Sequence, residues 1–275
     1  MLKKTYSILR SFTKEMKRKH ISSFAAGTAF FLFVSLVPML IVICSVLPYT
    51  PIKEESMILT LLSLVPEVFK PLIKIIIADI YESNAGLFSL ALLVTLWSAG
   101  KGVLGLMSGL NEIGEVEEKR NYFFVRLIAS FYTLIMLLML VFALTVMVFG
   151  SVLVEMIVTK APHIKYVLDF FMHFRVVAFC GLLTLFFATI YAYVPNQKFS
   201  FKMQIPGAAV SAVAWSVFSW VFSLYVKNNS FGTYGSLSLI VFVLLWLYFG
   251  IYIILIGAHI NKYFGFIYHR IRYSS

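Results

Sequence analysis

Charge is what this sequence has least of: 13% of its 275 residues are Asp, Glu, Lys or Arg, about half the share of an ordinary soluble domain. A water-facing surface cannot be built from so few. Acidic residues are the scarcer sign, 12 against 23 Lys and Arg. Cysteine is nearly absent. Cys44 and Cys180 both lie inside apolar runs, so no disulfide framework is expected and each thiol reads as a small buried hydrophobe. Neither a Walker loop nor a Gly-x-Ser-x-Gly elbow occurs, which removes ATP-driven pumping by this chain alone and serine hydrolysis of that type. The stretch richest in carboxylates has no histidine at ligand spacing, so no metal or other cofactor is expected.

What fills the space is apolar: 61% of the residues are hydrophobic and 17% aromatic. Crossing the hydrocarbon of a bilayer takes about 20 apolar residues at about 1.5 Å each. Six windows meet that need, with spans expected near residues 24–48, 86–108, 127–150, 174–194, 205–226 and 236–258. None alternates with period two, so helices are expected and not barrel strands. The fold class is all-α, a polytopic helical membrane bundle forming one domain. The apolar run after residue 20 is too long for a signal-peptide core and is expected to stay as an anchor.

Lysine and arginine orient the bundle. With both termini in the cytoplasm, 16 of the 23 basic residues lie inside and only Lys53, Lys70, Lys74, Lys160, Lys165, Arg175 and Lys227 lie outside, the bias that the positive-inside rule demands. The expected partner of the basic face is the anionic inner leaflet, with membrane lipids around the bundle. Envelope proteins or a second copy of the chain are further candidate partners. Nucleic acid is not expected, because no soluble module interleaves basic residues with exposed aromatics. Leu2, Tyr6, Leu9, Phe12 and Met16 recur at helical spacing among basic residues, which predicts an interfacial helix over 1–20. Residues 49–82 carry Ile58, Leu61, Leu62, Val65, Phe69, Leu72, Ile73, Ile76 and Ile80 at steps that suit helix, broken by Pro66 and Pro71. They predict amphipathic helices at the outer face.

Few residues carry chemistry. Lys101 is a charge within an expected span, and an unshielded lysine at the bilayer centre costs about 2.5–3.5 kcal/mol. Either it snorkels to the inner interface as an anchor, or it faces a polar cavity and attracts an anionic head group. Gly102, Gly105 and Gly109 on the second span, and Gly207 and Ser211 on the fifth, form ridges of small residues that let helices approach closely, either as fixed packing or as a sliding interface that permits alternating conformations. Pro38 frees a backbone carbonyl and bends its helix near Ser35, a structural kink or a hinge. The inner loop after Asn111 concentrates Glu117, Glu118 and Arg120 with Glu112, Glu115 and Lys119. It is a solvated helix end with local ion pairs, or a gate or docking site for a partner. The polar, Gly-rich outer turn from Lys227 to Gly235, which includes Tyr234, has free amides at a helix start that suit a carbonyl or phosphate group. The alternative is a tight turn with interfacial tyrosines.

Several of these positions fall in ordered motifs. They are Ala25-Ala26-Gly27 leading to Ser35-Leu36-Val37-Pro38, then WSAGKGVLGLMSGLN over 97–111 followed by Glu117-Glu118-Lys119-Arg120. Further on come Val194-Pro195-Asn196, Pro206-Gly207-Ala208, Tyr225, Tyr234-Gly235-Ser236, and Gly257-Ala258 with Asn261. Taken in order over nearly the whole chain, the set resembles the YihY/BrkB family of bacterial membrane proteins. The resemblance implies a six-helix inner-membrane protein, a family name that includes "virulence factor", and no settled biochemical activity; older labels call some members ribonuclease BN. The family pattern usually places an acidic residue after the last Gly-Ala, where this chain has His259. A proton- or cation-carrying acid at that place therefore does not carry over.

Without a catalytic constellation, the expected role is transport or handling of a lipid-like or anionic amphiphile in the cell envelope. The alternative is a scaffold that recruits envelope enzymes through its basic ends, and a membrane-associated ribonuclease ranks last. Lys101, Ser35, Pro38, Asn111, Tyr225, Tyr234, Gly235 and Ser236 make up the candidate pathway.

Overall fold

Long runs of Leu, Ile, Val, Phe and Ala with few breakers leave the backbone one economical choice in an apolar medium, the internally bonded helix. The computed structural model describes residues 2–46, 85–135, 175–228 and 235–272, and these form helices with no strand among them. In chain order they are α1 (Leu2–Arg18), α2 (Ile21–Val46), α3 (Ala85–Gly114), α4 (Tyr122–Ile135), α5 (Arg175–Tyr193), α6 (Phe201–Asn228) and α7 (Gly235–Arg272). The expected outer segment 49–82 and Tyr234 lie outside the described residues, as does the greater part of the expected third span.

Among the described residues, three stretches are long and apolar enough to cross a membrane: Leu92–Gly114, Phe201–Tyr225 and Ile240–Gly265. A fourth is the pair Tyr6–Arg18 and Ile21–Leu36, which passes only when taken together and bends by 50° at its break. The described parts of the remaining two expected spans are the shorter apolar helices Tyr122–Ile135 and Phe179–Tyr193. The break between α1 and α2 has a local cause. His20 adopts φ 48°, a left-handed conformation that ends a helix, and its amide turns back to the carbonyl of Lys17 at 3.1 Å.

The helices sort into two pairings joined by α7. Helix α3 lies along α2, α5 lies along α6, and α7 packs on α6, α2 and α3. The core between them is built from Ile21, Ala25, Val103, Met107, Leu110, Phe187, Tyr191, Ala208, Ala212, Ile251, Leu255 and their neighbours. Small residues make the pairings close. A Cβ on Gly102 would meet the Leu32 side chain at 3.0 Å, and one on Gly105 would meet Thr28 Oγ1 at 2.6 Å. On Gly109 it would lie 3.1 Å from Phe24. Helix α3 could not lie so near α2 with side chains there.

The exterior is the greasier surface. Leu90, Leu93 and Trp97 on α3, Phe179, Leu182 and Leu185 on α5, and Val213, Val217 and Trp220 on α6 all point outward and exposed. Thr28, Thr95, Thr133, Ser35, Ser211 and His259 are buried. That inversion suits a solvent of acyl chains and would be costly in water.

Candidate functional site

Apart from buried Arg126 of α4, which donates to the carbonyl of Trp97 on α3, most of the described polar contacts between segments gather at one end of the bundle, called here the junction end, where α1 meets α2, α3 and α5 terminate and α6 begins. The last carbonyls of α3 have no partner within their own helix. Two lysines from distant segments supply one. Lys19, almost fully buried, donates to the carbonyl of Ile113 at 2.8 Å, and Lys262 of α7 donates to that of Gly114 at 2.9 Å. Cations at a helix C-terminus also answer its dipole. The next residue, Glu115, turns left-handed with φ 58° and brings its carboxylate within 3.0 Å of Lys19 Nζ, 3.7 Å of Lys262 Nζ and 3.9 Å of Arg18. The hydrogen bond from Lys19 holds the Glu115 carboxyl below the ordinary carboxylate range, against a smaller opposing effect of burial.

One turn back along α3, buried Asn111 ties the following loop to the turn after α5. Its Oδ1 accepts from the amide of Asn196 at 2.8 Å and its Nδ2 donates to Glu118 at 3.0 Å. Asn196 Nδ2 returns to the carbonyl of Glu117 at 2.8 Å. Arg120 grips Glu118 through Nε at 2.7 Å and a terminal nitrogen at 2.6 Å, a forked pairing of the strong kind. That pairing lowers the Glu118 carboxyl and raises the Arg120 guanidinium from their ordinary values. Of the carboxylates in this loop, Glu115 and Glu118 are therefore held in these structural pairs.

A third assembly joins α5, α6 and α7. Gly207 faces the carbonyl of Gly257 and the side chain of Asn261 so closely that a Cβ would collide with both, and Gly257 in turn faces Ser211. Fully buried Tyr191 donates to the carbonyl of Ile254 at 2.7 Å and lies 2.9 Å from Ser211 Oγ, which also reaches the carbonyl of Ile253 at 3.1 Å. Asn261 accepts from the amide of Gly207 at 2.7 Å and donates to the Gln204 carbonyl and side-chain oxygen at 2.9 and 3.0 Å.

Between these assemblies lies a cavity of about 310 Å³, at the small end of ligand-site volumes. Leu110, Ile113, Pro195, Phe199, Met203 and Ala258 give it apolar walls, and Gln204, Asn261, Lys262 and Tyr191 bring polar groups to it.

The sequence-derived candidates scatter relative to this place. Asn111, Glu117, Glu118 and Arg120 come together in the loop network, while Gly207 and Ser211 support the cavity from α6. Lys101 is exposed with Nζ 5.2 Å above the Phe31 ring, and Tyr225 is exposed beside Phe242 at 5.4 Å; neither lines the cavity. Ser35 is buried and donates to the carbonyl of Leu32 at 2.7 Å. Pro38 lies within α2, and Gly235 and Ser236 open α7. Lys19, Gln204, Lys262 and Tyr191 were not singled out by sequence. The only hint of Tyr191 was a hydroxyl inside a greasy run; Lys19 looked like one more basic residue of the first helix. His259 is fully buried on α7, its ring 4.7 Å from Phe12, and the carboxylate facing it is that of Glu15 on α1 at 3.9 Å. Among the described residues no group of three His, Cys, Asp or Glu side chains is placed to hold a metal ion.

The chain is 29% identical over 262 residues to the "Putative ribonuclease-like protein YfkH" of Bacillus subtilis, covering 91% of this chain and 94% of that one. Shorter stretches match UPF0761 membrane proteins, at 32% identity over 77 residues in Psychromonas ingrahamii (27% of this chain, 26% of that one) and 33% over 75 residues in Idiomarina loihiensis (26% of each). No solved structure matches. A family model described as "Virulence factor BrkB" matches residues 12–266, which takes in all three assemblies and the cavity, and the chain belongs to that family of membrane proteins.

Proposed function

We propose that this protein resides in the bacterial cytoplasmic membrane with both termini inside, and that it transports or handles a lipid-like or anionic amphiphile of the cell envelope. The observation that carries the reading is the cavity at the junction end, apolar along its walls and polar at Gln204, Asn261 and Lys262. An amphiphile needs that division of surfaces, and the greasy belt around the helices gives it a route from the bilayer. The basic residues of α1 suit an anionic leaflet at the same end. Ribonuclease chemistry has less support. Glu118 is spent on Arg120 and Asn111, and Glu115 on Lys19. Purified protein with RNA and a divalent cation is expected to show no cleavage sensitive to changing Glu112, Glu117 and Glu118 to Gln.

Reconstitution tests the main reading. Purified protein in sealed vesicles should move a labelled phospholipid or envelope precursor between leaflets faster than empty vesicles do. Movement no faster than in empty vesicles would sink transport and favour a scaffold that recruits envelope enzymes through its basic ends.

A further inference from the structure

The polar groups at the cavity are not a random assortment, and the direction of each hydrogen bond can be worked out. The amide of Gly207 can only donate, so the Asn261 atom 2.7 Å from it is the accepting oxygen. Asn261 must then present its NH₂ to Gln204, and the Gln204 side-chain atom at 3.0 Å is its oxygen. That leaves the Gln204 NH₂, on a residue that lines the cavity, with both protons uncommitted among the described residues. Lys262, also lining it, spends one proton on the carbonyl of Gly114, and Glu115 stands beyond hydrogen-bond distance at 3.7 Å. The Tyr191 proton is committed to Ile254. The uncommitted hydrogens at the cavity's polar groups are thus donors, and the charge beside them is positive: Arg18, Lys19 and Lys262 share the single carboxylate of Glu115.

We propose that this cavity binds the anionic head group and adjoining chain of a single-chain amphiphile, with a phosphate or carboxylate accepting from Gln204 and Lys262 and the chain lying against Leu110, Phe199 and Met203. The proposal rests on the amphiphile-handling reading above and assigns it a site and a ligand class. A zwitterionic or cationic head would bring positive charge against Lys262, and a sugar or alcohol would add no negative charge to the one carboxylate that three cations share. A cavity of about 310 Å³, near the lower limit of small-molecule sites, suits a head group with the adjoining part of one chain better than the two full tails of a membrane phospholipid.

The test uses the full chain in phosphatidylcholine nanodiscs and a decyl phosphate carrying a diazirine on the chain carbons nearest its head group. Saturable photolabelling is expected on Phe199 or Met203, displaced by decyl phosphate or decanoate at concentrations at least about tenfold lower than by decyltrimethylammonium or inorganic phosphate. Gln204→Glu keeps the oxygen that Asn261 needs, removes the free donors and adds a like charge, so labelling affinity should fall by about tenfold or more. Lys262→Arg should retain it and Lys262→Met lose it. Absence of cavity labelling, equal displacement by the cationic amphiphile, or full displacement by inorganic phosphate alone would each overturn the proposal. Because the displacement series is run on the unaltered protein, it decides the matter even if a variant fails to fold. Labelling without movement in vesicles would sink transport and leave this site standing; movement without cavity labelling would do the reverse.

Discussion

Tyr191 offers a measurable test of how the α5–α6–α7 assembly is held together. A phenol has one proton. A carbonyl cannot donate, so that proton goes to Ile254 at 2.7 Å, and toward Ser211, 2.9 Å away, the phenol oxygen must accept. The Ser211 proton is then shared between Tyr191 and the carbonyl of Ile253 at 3.1 Å. Tyr191→Phe removes the acceptor of one bond and the donor of the other while leaving the ring packed. Each bond between helices in an apolar medium is worth about 0.6 kcal/mol and up to about 1.7, so the variant should lose about 1–2 kcal/mol. Ser211→Ala should lose less, about 1 kcal/mol, and the pair should couple by about 0.5–1 kcal/mol in a double-mutant cycle. Reversible unfolding by dodecyl sulfate in mixed micelles, followed by tryptophan fluorescence, gives these numbers. If Tyr191→Phe stays within about 0.3 kcal/mol of the unaltered protein and no coupling is found, the deduced bonding pattern is wrong.

Gly207→Ala should destabilise by about 1–3 kcal/mol, because its Cβ would press on the Gly257 carbonyl and Asn261. Gly27→Ala, which adds a methyl to open space, should be neutral or gain up to about 1 kcal/mol in the same unfolding assay. Both Glu115 and Glu118 have pKa values held below the ordinary 4.5 in the folded protein. The stability they contribute is complete above that value and lost as pH falls through their folded pKa values. Unfolding midpoints should therefore drop on acidification below about pH 4.5, and Glu118→Gln should flatten that drop; an unchanged acid profile would argue against the Arg120 pairing. Lys101→Met should keep expression and vesicle activity, since the ammonium rests over Phe31 and away from the cavity. Lost activity with intact expression would put that charge back in a pathway.

What could be read in advance follows from the range of each interaction. Helices α3, α6 and α7 were legible because an apolar run of that length satisfies its backbone in only one way. The spacing of Leu9, Phe12 and Met16 likewise announced α1. Gly102, Gly105 and Gly109 could be named as a contact ridge because the missing side chains lie three and four residues apart. Their partners Thr28, Leu32 and Phe24 could not, since any apolar helix would have served. The break at Lys19 and His20 was invisible because it depends on one left-handed residue with no glycine to mark it. Least legible was the cavity. Lys19 reaches a carbonyl 94 positions away and Asn111 meets an amide 85 positions away, and no local pattern encodes such pairs. Cavities are what remains between helices once those pairs have formed.

The hydrogen bonds also change in kind from the helix interiors to the junction end. Along the helices, Ser98, Thr133, Thr184, Thr189 and Ser216 each turn back to the carbonyl four residues earlier in their own helix, the economical choice for a hydroxyl with no water to bond. At the junction end the pattern changes, and Lys19, Asn111, Asn196, Asn261 and Lys262 reach across to other segments. Ion pairs appear in the same place, where water or head groups lower the cost of desolvating them. The change falls near Leu110 to Gly114 on α3 and Ala258 to Lys262 on α7. These are also cavity residues, so the cavity lies where bonding within single helices gives way to bonding between segments. On the proposed reading, a molecule that is itself divided between a chain and a charged head would find an apolar wall and hydrogen-bond donors side by side there.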